Sequence, residues 1–178
     1  MEAARKGRHD AFQALVIKYE SRVAATIIGM LGQCSEAEDV GQETFMRFYK
    51  SLQRFKGESS VGTYLIRIAI NLSINELKRR QRRNRFFHIP SGPGIEMESL
   101  PAEHSSSNPG PEQEEIKTMI QQALQKLAPR FRSVIVLRLI DGYSTKETAQ
   151  ILKLPTGTVL SRLARAQMKL KKILGGEK

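Results

Sequence analysis

One stretch of the sequence divides the rest into two blocks. From Phe86 to Pro111, "FFHIPSGPGIEMESLPAEHSSSNPGP" holds five of the seven prolines, three glycines and a run of serines. Such a segment cannot continue a helix and offers little to bury, so it predicts a flexible linker between two domains. A long ordered loop inside one domain is the alternative, but structureless loops of this length are uncommon there. The predicted domains are residues 1–85 and 112–178, with the linker at 86–111.

The block before the linker has the periodicity of three helices. Apolar residues recur at helical spacing in "DAFQALVIKYESRVAATIIGML" and again in "SEAEDVGQETFMRFYKSLQRF". The second of these opens with Ser35 and Glu38 at the spacing of a capping box, and Gly57 follows where a helix end favours glycine. A third helix starts near Val61. No useful length alternates with period two, so strands are not expected.

The block after the linker also predicts helices only. Its first helix carries a single apolar stripe, made of Ile116, Met119, Ile120, Ala123, Leu124 and Leu127. Pro129 suits the first position of the next helix, "PRFRSVIVLRLI", which "DGYS" ends. Ser144 and Glu147 have the spacing of a second capping box and open a short helix. The predicted fold class is all-α, with two small helical domains joined by the linker.

The charge and the rare residues narrow the function. Lysine and arginine total 29 against 18 acidic residues, a formal charge of +11, which favours a polyanionic partner: nucleic acid first, an anionic membrane second. The single cysteine excludes an intrachain disulfide, and the three histidines have no ligand spacing around them. Apolar runs are too short to cross a bilayer, and the N-terminus lacks the apolar middle of a signal peptide. We therefore expect a cytoplasmic protein without a metal, a cofactor or membrane insertion.

The last two predicted helices have the pattern of a helix-turn-helix, from Ser144 to Lys169. In such a unit the second helix lies in the major groove and reads base edges near its N-terminus. Candidate contacts on that helix are Thr158, Ser161, Arg162 and Arg165. An ordinary amphipathic pair with a solvated basic face is the alternative, and the glycine often found in the turn is replaced here by Lys153 or Leu154.

A second polar surface is predicted on the helix that starts near Val61. Thr63, Arg67, Asn71 and Asn75 follow one another at steps of four, which places them on one face. The run "KRRQRRNR", from Lys78 to Arg85, continues the helix with six basic residues in eight. Asparagine is a mediocre helix former, but its amide both donates and accepts, so it suits reading the edge of an unpaired base.

Three motifs in fixed order resemble a bacterial RNA polymerase sigma factor of the extracytoplasmic-function (ECF) group. "EAEDVGQETFMRFYKSLQRFKGESS" is similar to the family's core-polymerase-binding segment, and "TYLIRIAINLSINELKRR" to its minus-ten recognition helix. "LAPRFRSVIVLRLIDGYSTKETAQILKLPTGTVLSRLARAQMKL" is similar to the domain that reads the minus-thirty-five element. The sequence departs from the family at Gly41, Tyr64 and Thr148, and Leu160 stands at a position that is usually basic.

The resemblance implies a role for each motif. The residues it implies for docking on the clamp helices of the polymerase's largest subunit are Asp39, Gln42, Glu43, Met46, Arg47 and Lys50. Those implied for minus-ten DNA are Arg67, Asn71, Asn75, Lys78, Arg79 and Arg82, with Asn71 near a pocket for a flipped base. Tyr64 is expected to pack in the core. The implied partners are core RNA polymerase (clamp helices and flap region), promoter DNA and an anti-sigma factor.

Three other interpretations stay open from the sequence. A stand-alone helix-turn-helix regulator would bind duplex DNA without polymerase, but it leaves the "EAEDVGQETF" face without a purpose. A decoy that only titrates an anti-sigma protein would not need Arg162, Arg165 or the basic run. An enzyme is the weakest, because no nucleophile–base pair, phosphate-cradling loop or metal cluster is found in the sequence.

Overall fold

The computed structural model describes residues 2–5, 7–87 and 111–175, and within these ranges all regular structure is helical. This confirms the all-α prediction. The predicted linker lies outside the described residues except at its two ends, because helix α4 continues to Phe87 and helix α5 begins at Pro111.

The first half is built from three long helices after a short one. Helix α1 spans Glu2–Arg5, α2 spans His9–Leu31, α3 spans Ser35–Ser51 with a 3₁₀ turn at Leu52–Arg54, and α4 spans Val61–Phe87. Their apolar faces meet in one core, whose most buried large side chains include Ile27, Met30, Phe48, Leu65 and Ile70. Tyr64 packs its ring 5.0 Å from that of Phe55 and 6.2 Å from that of Phe48, centroid to centroid, so its predicted packing role is confirmed.

The capping box predicted at Ser35 and Glu38 is wrong. Helix α3 begins one residue earlier than that spacing requires, with Cys34 at the N-cap in an extended conformation and no side-chain hydrogen bond to the helix end. Ser35 Oγ instead faces Glu36 Oε2 at 3.5 Å. Gly57 has a φ of +75°, a left-handed conformation that suits glycine, and it lies in the loop before α4.

The second half contains four helices. Helix α5 spans Pro111–Gln125, α6 spans Pro129–Ile135 and runs on as a π-helical turn at Val136–Ile140, α7 spans Thr145–Leu152, and α8 spans Thr156–Leu174. Pro129 stands in the first turn of α6, as predicted. One apolar cluster joins Leu124, Leu127, Phe131, Ile135 and Ala166, and a second joins Val134, Ala149 and Val159.

The apolar stripe predicted on α5 is only half buried. Ala123, Leu124 and Leu127 pack inward, whereas Ile116, Met119 and Ile120 are each more than two-fifths exposed. The reason is the position of α8, which covers the C-terminal part of α5, where Leu124 meets Ala166.

The turn between α7 and α8 explains how the chain forms a helix-turn-helix without a glycine. Ser144 caps α7 with a complete capping box, which confirms the prediction: the Glu147 amide donates to Ser144 Oγ at 3.2 Å, and the Ser144 amide donates to Glu147 Oε2 at 2.8 Å. At the other end of α7, Lys153 adopts a φ of +53°, the left-handed conformation in which glycine is usually found. Ala149 packs against Val134 and Val159, so the small residue does lie where the helices approach closely.

The two halves are in contact. Val136, Leu137, Tyr143 and Ile151, all from the second half, are buried in the core of the first. Helix α2 supplies most of the receiving surface, and α4 meets α7.

Candidate nucleic-acid and polymerase interfaces

Helix α4 presents the predicted polar stripe on its outer face. Asn71, Asn75 and Lys78 are exposed, and Arg67 is half-buried at the start of the stripe. The inward face of the same helix is held by Leu65, Ile66, Ala69 and Ile70 in the core, which fixes the rotation of the helix. The asparagines therefore point away from the core, as their spacing predicts.

Thr63 does not belong to that stripe. Its side chain is buried, and its amide donates to Ser60 Oγ at 3.0 Å, with the two hydroxyls 2.9 Å apart. Ser60 precedes the first residue of α4, so this is an N-terminal capping arrangement. The step of four places a residue on the same helix face, but in the first turn of α4 the Thr63 side chain is buried and its hydroxyl contacts that of the capping residue.

A cleft lies next to the stripe and was not foreseen from the sequence. Its volume is about 280 Å³, and it is lined by Arg54, Phe55, Lys56, Gly57, Glu58, Ser59, Tyr64 and Arg67. Arg67 thus belongs both to the cleft and to the stripe, and Asn71 follows one helical turn later. The sequence signal for this cleft is "RFKGESS", a segment of basic, aromatic and small residues directly before helix α4.

Much of the basic run is paired with acidic side chains. Glu76, which is nearly buried, lies 2.7 Å from Arg79 Nε and 3.7 Å from Arg80 Nε. Glu36 on α3 receives Arg80 at 3.1 Å and Arg83 at 3.4 Å. A hydrogen bond from its own amide lowers the pKa of Glu36 below its ordinary value, and Arg80 and Arg83 lower it further against the cost of burial. Of the predicted minus-ten residues, Arg79 is paired with Glu76 while its side chain remains 57% exposed, and Lys78 and Arg82 are exposed as well.

Arg80 has a structural role that the sequence did not show. Its guanidinium donates to Cys34 Sγ at 2.9 Å and to Leu31 O at 3.4 Å, so it joins α4 to the end of α2 and the start of α3. This contact holds the turn between α2 and α3 against helix α4.

Helix α8, by contrast, has no acidic residue anywhere in its length. Ser161 and Arg165 are exposed, and Thr158 and Arg162 are half-buried. Ser161 Oγ donates to Thr158 O at 3.1 Å, an internal bond that a DNA acceptor would have to replace. Val159 and Ala166 are fully buried beneath them, which fixes the polar face outward. Leu160, at the position that is usually basic, is 54% exposed on this outer surface.

The predicted polymerase-docking residues lie together on α3. All are exposed except Glu43, which is half-buried: Asp39, Gln42, Glu43, Met46, Arg47 and Lys50. Arg47 Nε donates to Glu43 Oε1 at 2.7 Å, so the charged part of the surface has a defined geometry. Met46 is 51% exposed, and the neighbouring Tyr49 ring is 43% exposed while packing edge-on against Phe12 at 4.9 Å. Tyr49 is an apolar addition to this surface that the sequence did not single out.

Two other kinds of site are absent from the described ranges. The ranges contain no cluster of three or more histidine, cysteine, aspartate or glutamate side chains with metal-binding geometry. None of the helices within them is long and apolar enough to span a bilayer.

Comparison with known proteins agrees with this arrangement. Residues 15–83 match the family model for sigma-70 region 2, and residues 117–170 match the model for sigma-70 region 4. The RNA polymerase sigma-H factor of Pseudomonas aeruginosa is 32% identical over 98% of this chain and 91% of its own length. The ECF RNA polymerase sigma factor SigW of Bacillus subtilis is 33% identical over 98% of this chain and 94% of its own length.

Two solved structures have the same fold. CnrH, in complex with the cytosolic domain of CnrY, superimposes with a TM-score of 0.70 at 25% identity, over 99% of this chain and 96% of its own. RpoE of Bartonella quintana, in complex with the anti-sigma factor NepR, superimposes with a TM-score of 0.73 at 23% identity, over 94% of this chain and 99% of its own. Both matches extend across the two halves of the chain.

Proposed function

The chain belongs to the ECF sigma factors of bacterial RNA polymerase, and we propose that three of its helices divide the work of promoter recognition. Helix α3 docks on the clamp helices of the core enzyme, α4 holds the melted minus-ten strand, and α8 reads the minus-thirty-five duplex. Region 4 also contacts the flap region of the polymerase. The chain acts in the bacterial cytoplasm, where the polymerase is, and it directs the catalysis of that enzyme instead of performing chemistry itself.

The observation that carries this proposal is the coexistence of three separate exposed surfaces on one chain. A stand-alone regulator needs only the surface of α8, and an anti-sigma decoy needs neither DNA surface. Only a subunit that joins polymerase to promoter uses all three.

The α3 surface has the features of a protein-docking site. An exposed methionine is adaptable and polarisable, which suits a partner surface better than a purely solvated one. The fixed Glu43–Arg47 pair beside Met46 and Tyr49 offers a partner both charge and apolar area.

The α4 surface suits a single strand. Asn71 and Asn75 can donate to and accept from the edge of an unpaired base, and Lys78 and Arg82 can follow its phosphates. The open cleft lined by Arg67, one helical turn from Asn71, offers space for an extruded base. Extrusion costs a few kcal/mol, which contacts with the correct base offset.

The α8 surface suits duplex DNA. Arg162 and Arg165 lie in the N-terminal half of the helix, the part that enters the major groove in helix-turn-helix proteins. An arginine there can bind guanine through two hydrogen bonds, and the lysines further along can contact phosphates.

We further propose an anti-sigma factor as a regulatory partner. CnrH, which aligns over nearly the whole chain, was solved in complex with the cytosolic domain of CnrY. The stand-alone regulator is the second candidate, favoured only by the completeness of the helix-turn-helix itself.

Reconstitution with core RNA polymerase tests the main proposal. The mixture is expected to initiate at specific sites on a library of genomic fragments, and Glu43→Lys is expected to reduce holoenzyme assembly in a pull-down. Glu20→Lys, an equal charge change on the exposed face of α2, is the matched control. Absence of specific initiation, together with tight duplex binding by the chain alone, would favour the stand-alone regulator.

Asn71 tests the minus-ten assignment. Asn71→Ala is expected to weaken initiation mainly at promoters that carry one particular base in the minus-ten element, while holoenzyme assembly is unchanged. Initiation rates on a set of single-base promoter variants measure this. An equal loss on every variant would contradict base reading by Asn71.

A further inference from the structure

The short helix α1 brings a cation to the wall of the cleft beside α4. It spans Glu2–Arg5 and so precedes the part of the chain that matches the region 2 family model. Resting on the proposed function, we infer that Arg5 is a positioning residue for the minus-ten strand. Its guanidinium fixes the Phe55 ring that lines the cleft, so recognition of the extruded base depends on this cation.

Helix α1 ends in a tight turn that the sequence specifies. Gly7 has a φ of +82°, a left-handed conformation that glycine adopts without strain. The Gly7 amide donates to Ala4 O at 3.2 Å, and the Arg8 amide donates to Ala3 O at 3.1 Å, which are the two hydrogen bonds of a Schellman motif. Helix α1 is therefore a separate element that packs on α2 instead of extending it.

The packing of α1 explains where Arg5 lies. Ala4 is 3% exposed and belongs to the apolar core of the first half, which holds the short helix in place. Helix α1 also contacts the 3₁₀ turn at Leu52–Arg54, and Phe55 directly follows that turn. Burial of Ala4 thus places the next residue, Arg5, beside Phe55.

The contact between Arg5 and Phe55 is a cation–π interaction. The guanidinium carbon of Arg5 lies over the Phe55 ring, 6.0 Å from its centroid. Arg5 Nε is shielded from solvent and has no hydrogen-bond partner within the part of the chain that the structure describes. A guanidinium that lacks an acceptor is attracted by the negative face of an aromatic ring. The Phe55 ring is therefore the group that holds this cation.

Phe55 carries the effect of Arg5 to the cleft. Residues 55–60 form neither helix nor strand, so a regular backbone does not fix the ring. The ring packs edge-on against Tyr64, with 5.0 Å between centroids, and both rings line the cleft together with Arg67. Contacts with Tyr64 and Arg5 hold the ring in one orientation, which reduces the entropy lost when a base binds.

Loss of the cation is expected to act on the base and not on the backbone of the strand. Unpaired bases bind aromatic side chains by stacking, whereas phosphates bind cations. A Phe55 ring that is free to turn offers a poorer surface to an extruded base. The exposed side chains of Lys78 and Arg82, proposed to follow the phosphates, are unaffected by that ring.

Binding of single-stranded minus-ten oligonucleotides to the reconstituted holoenzyme tests this role by fluorescence anisotropy. A series with one abasic site at each position identifies the extruded base as the one whose removal weakens wild-type binding most. Arg5→Met keeps an apolar stem over the ring but removes the cation. It is expected to weaken binding of the intact oligonucleotide about two- to fivefold. Binding of the oligonucleotide that is abasic at the extruded position is expected to be unchanged.

Three further variants isolate the contact. Arg5→Lys retains a cation and is expected to bind as the wild type does. Arg8→Met is the matched control, because it removes the same charge from an exposed arginine that pairs with Asp10 at 2.6 Å. It is expected to change neither oligonucleotide's binding. In a Phe55→Leu background, Arg5→Met is expected to cause no further loss, because the cation acts through the ring.

Several outcomes would overturn the role of Arg5. Equal loss on intact and abasic oligonucleotides would indicate a general electrostatic or structural effect, as would a further loss in the Phe55→Leu background. Wild-type binding by Arg5→Met, or unfolding of this variant in a thermal melt, would also contradict it. A wild-type holoenzyme that binds every abasic oligonucleotide equally would instead reject the proposed minus-ten role of the cleft, and the role of Arg5 with it.

Discussion

The two helices proposed to contact DNA carry their positive charge in different ways. On α4 three of the arginines, Arg79, Arg80 and Arg83, form ion pairs with Glu76 or Glu36. On α8 there is no acidic residue in the helix. A basic run in the sequence is therefore not the same as a free basic surface. We interpret α4 as a pre-arranged surface for an irregular single strand and α8 as a basic surface without acidic residues that a regular duplex attracts.

The largest effect is expected on α8. Arg162→Ala and Arg165→Ala should each weaken binding to a minus-thirty-five duplex by about 1–3 kcal/mol where the arginine binds a base. Fluorescence anisotropy with an isolated duplex measures it. Gln167→Ala, an exposed neutral position on the same helix, is the control. If both arginine variants bind as the wild type does, the duplex-reading role of α8 is wrong.

A smaller effect is expected when Arg79 and Arg80 of α4 lose their shared acidic partner. Glu76→Gln removes the carboxylate that Arg79 and Arg80 share, and should lower the free energy of unfolding by about 1.5 kcal/mol. It should also steepen the salt dependence of single-strand binding, because freed arginines displace counterions. Urea titration and binding at several salt concentrations test these results, with exposed Glu20→Gln as control. Unchanged stability would show that the pairing does not order the helix.

Substitutions at Leu160 and Met168 test which part of α8 contacts the duplex. Leu160→Arg adds a cation at an exposed site near the groove-facing end and should steepen the salt dependence of duplex binding by about one counterion. Met168→Arg adds the same charge at an exposed position two turns later, and should change the slope less. Equal salt dependence of duplex binding for the two variants would mean that the N-terminal end of α8 does not enter the groove.

The smallest effect concerns pH and the ion pairs that Glu36 on α3 forms with α4. The pKa of Glu36 is lowered in the folded chain, so the stabilisation from its ionised form is fully present above its ordinary value of 4.5. It is lost as the pH falls through the lowered value. Glu36→Gln should therefore reduce the free energy of unfolding by less than about 1 kcal/mol near neutrality, and wild type and variant should converge in acid. Unfolding curves at a series of pH values measure the difference, and a gap that persists in acid would exclude this cause.

Much of the fold followed from the sequence because each helix signal is local. Periodicity located the long helices, and the serine and glutamate at positions 144 and 147 located a helix start to the residue. The same signal failed at Ser35, because Cys34 takes the cap position there, and a spacing rule cannot distinguish adjacent starts. The polar stripe of α4 was predicted, but its first member, Thr63, is buried at the helix start, where its amide donates to Ser60 Oγ.

The long-range features could not be predicted in this way. Arg80 contacts Cys34 and Glu36, which precede it in the sequence by 46 and 44 positions. The contact of Arg132 with Met30 joins positions 102 apart. In the sequence, both arginines belong to ordinary basic stretches, and only the packing of helices decides which cations face carbonyls, carboxylates or solvent.

Gly29 on α2 faces Val136 of the second half, and a Cβ added at Gly29 would lie 3.0 Å from a Val136 methyl carbon. This close approach has a consequence for building hybrid proteins. Because each domain is proposed to read a different promoter element, joining the first domain of one relative to the second domain of another is expected to combine their specificities. In a hybrid that keeps residues 1–87 of this chain, the residue that faces Gly29 must be no larger than valine for the two domains to pack against each other as they do here. A bulkier residue there would keep the two domains of the hybrid apart, whichever promoter it reads.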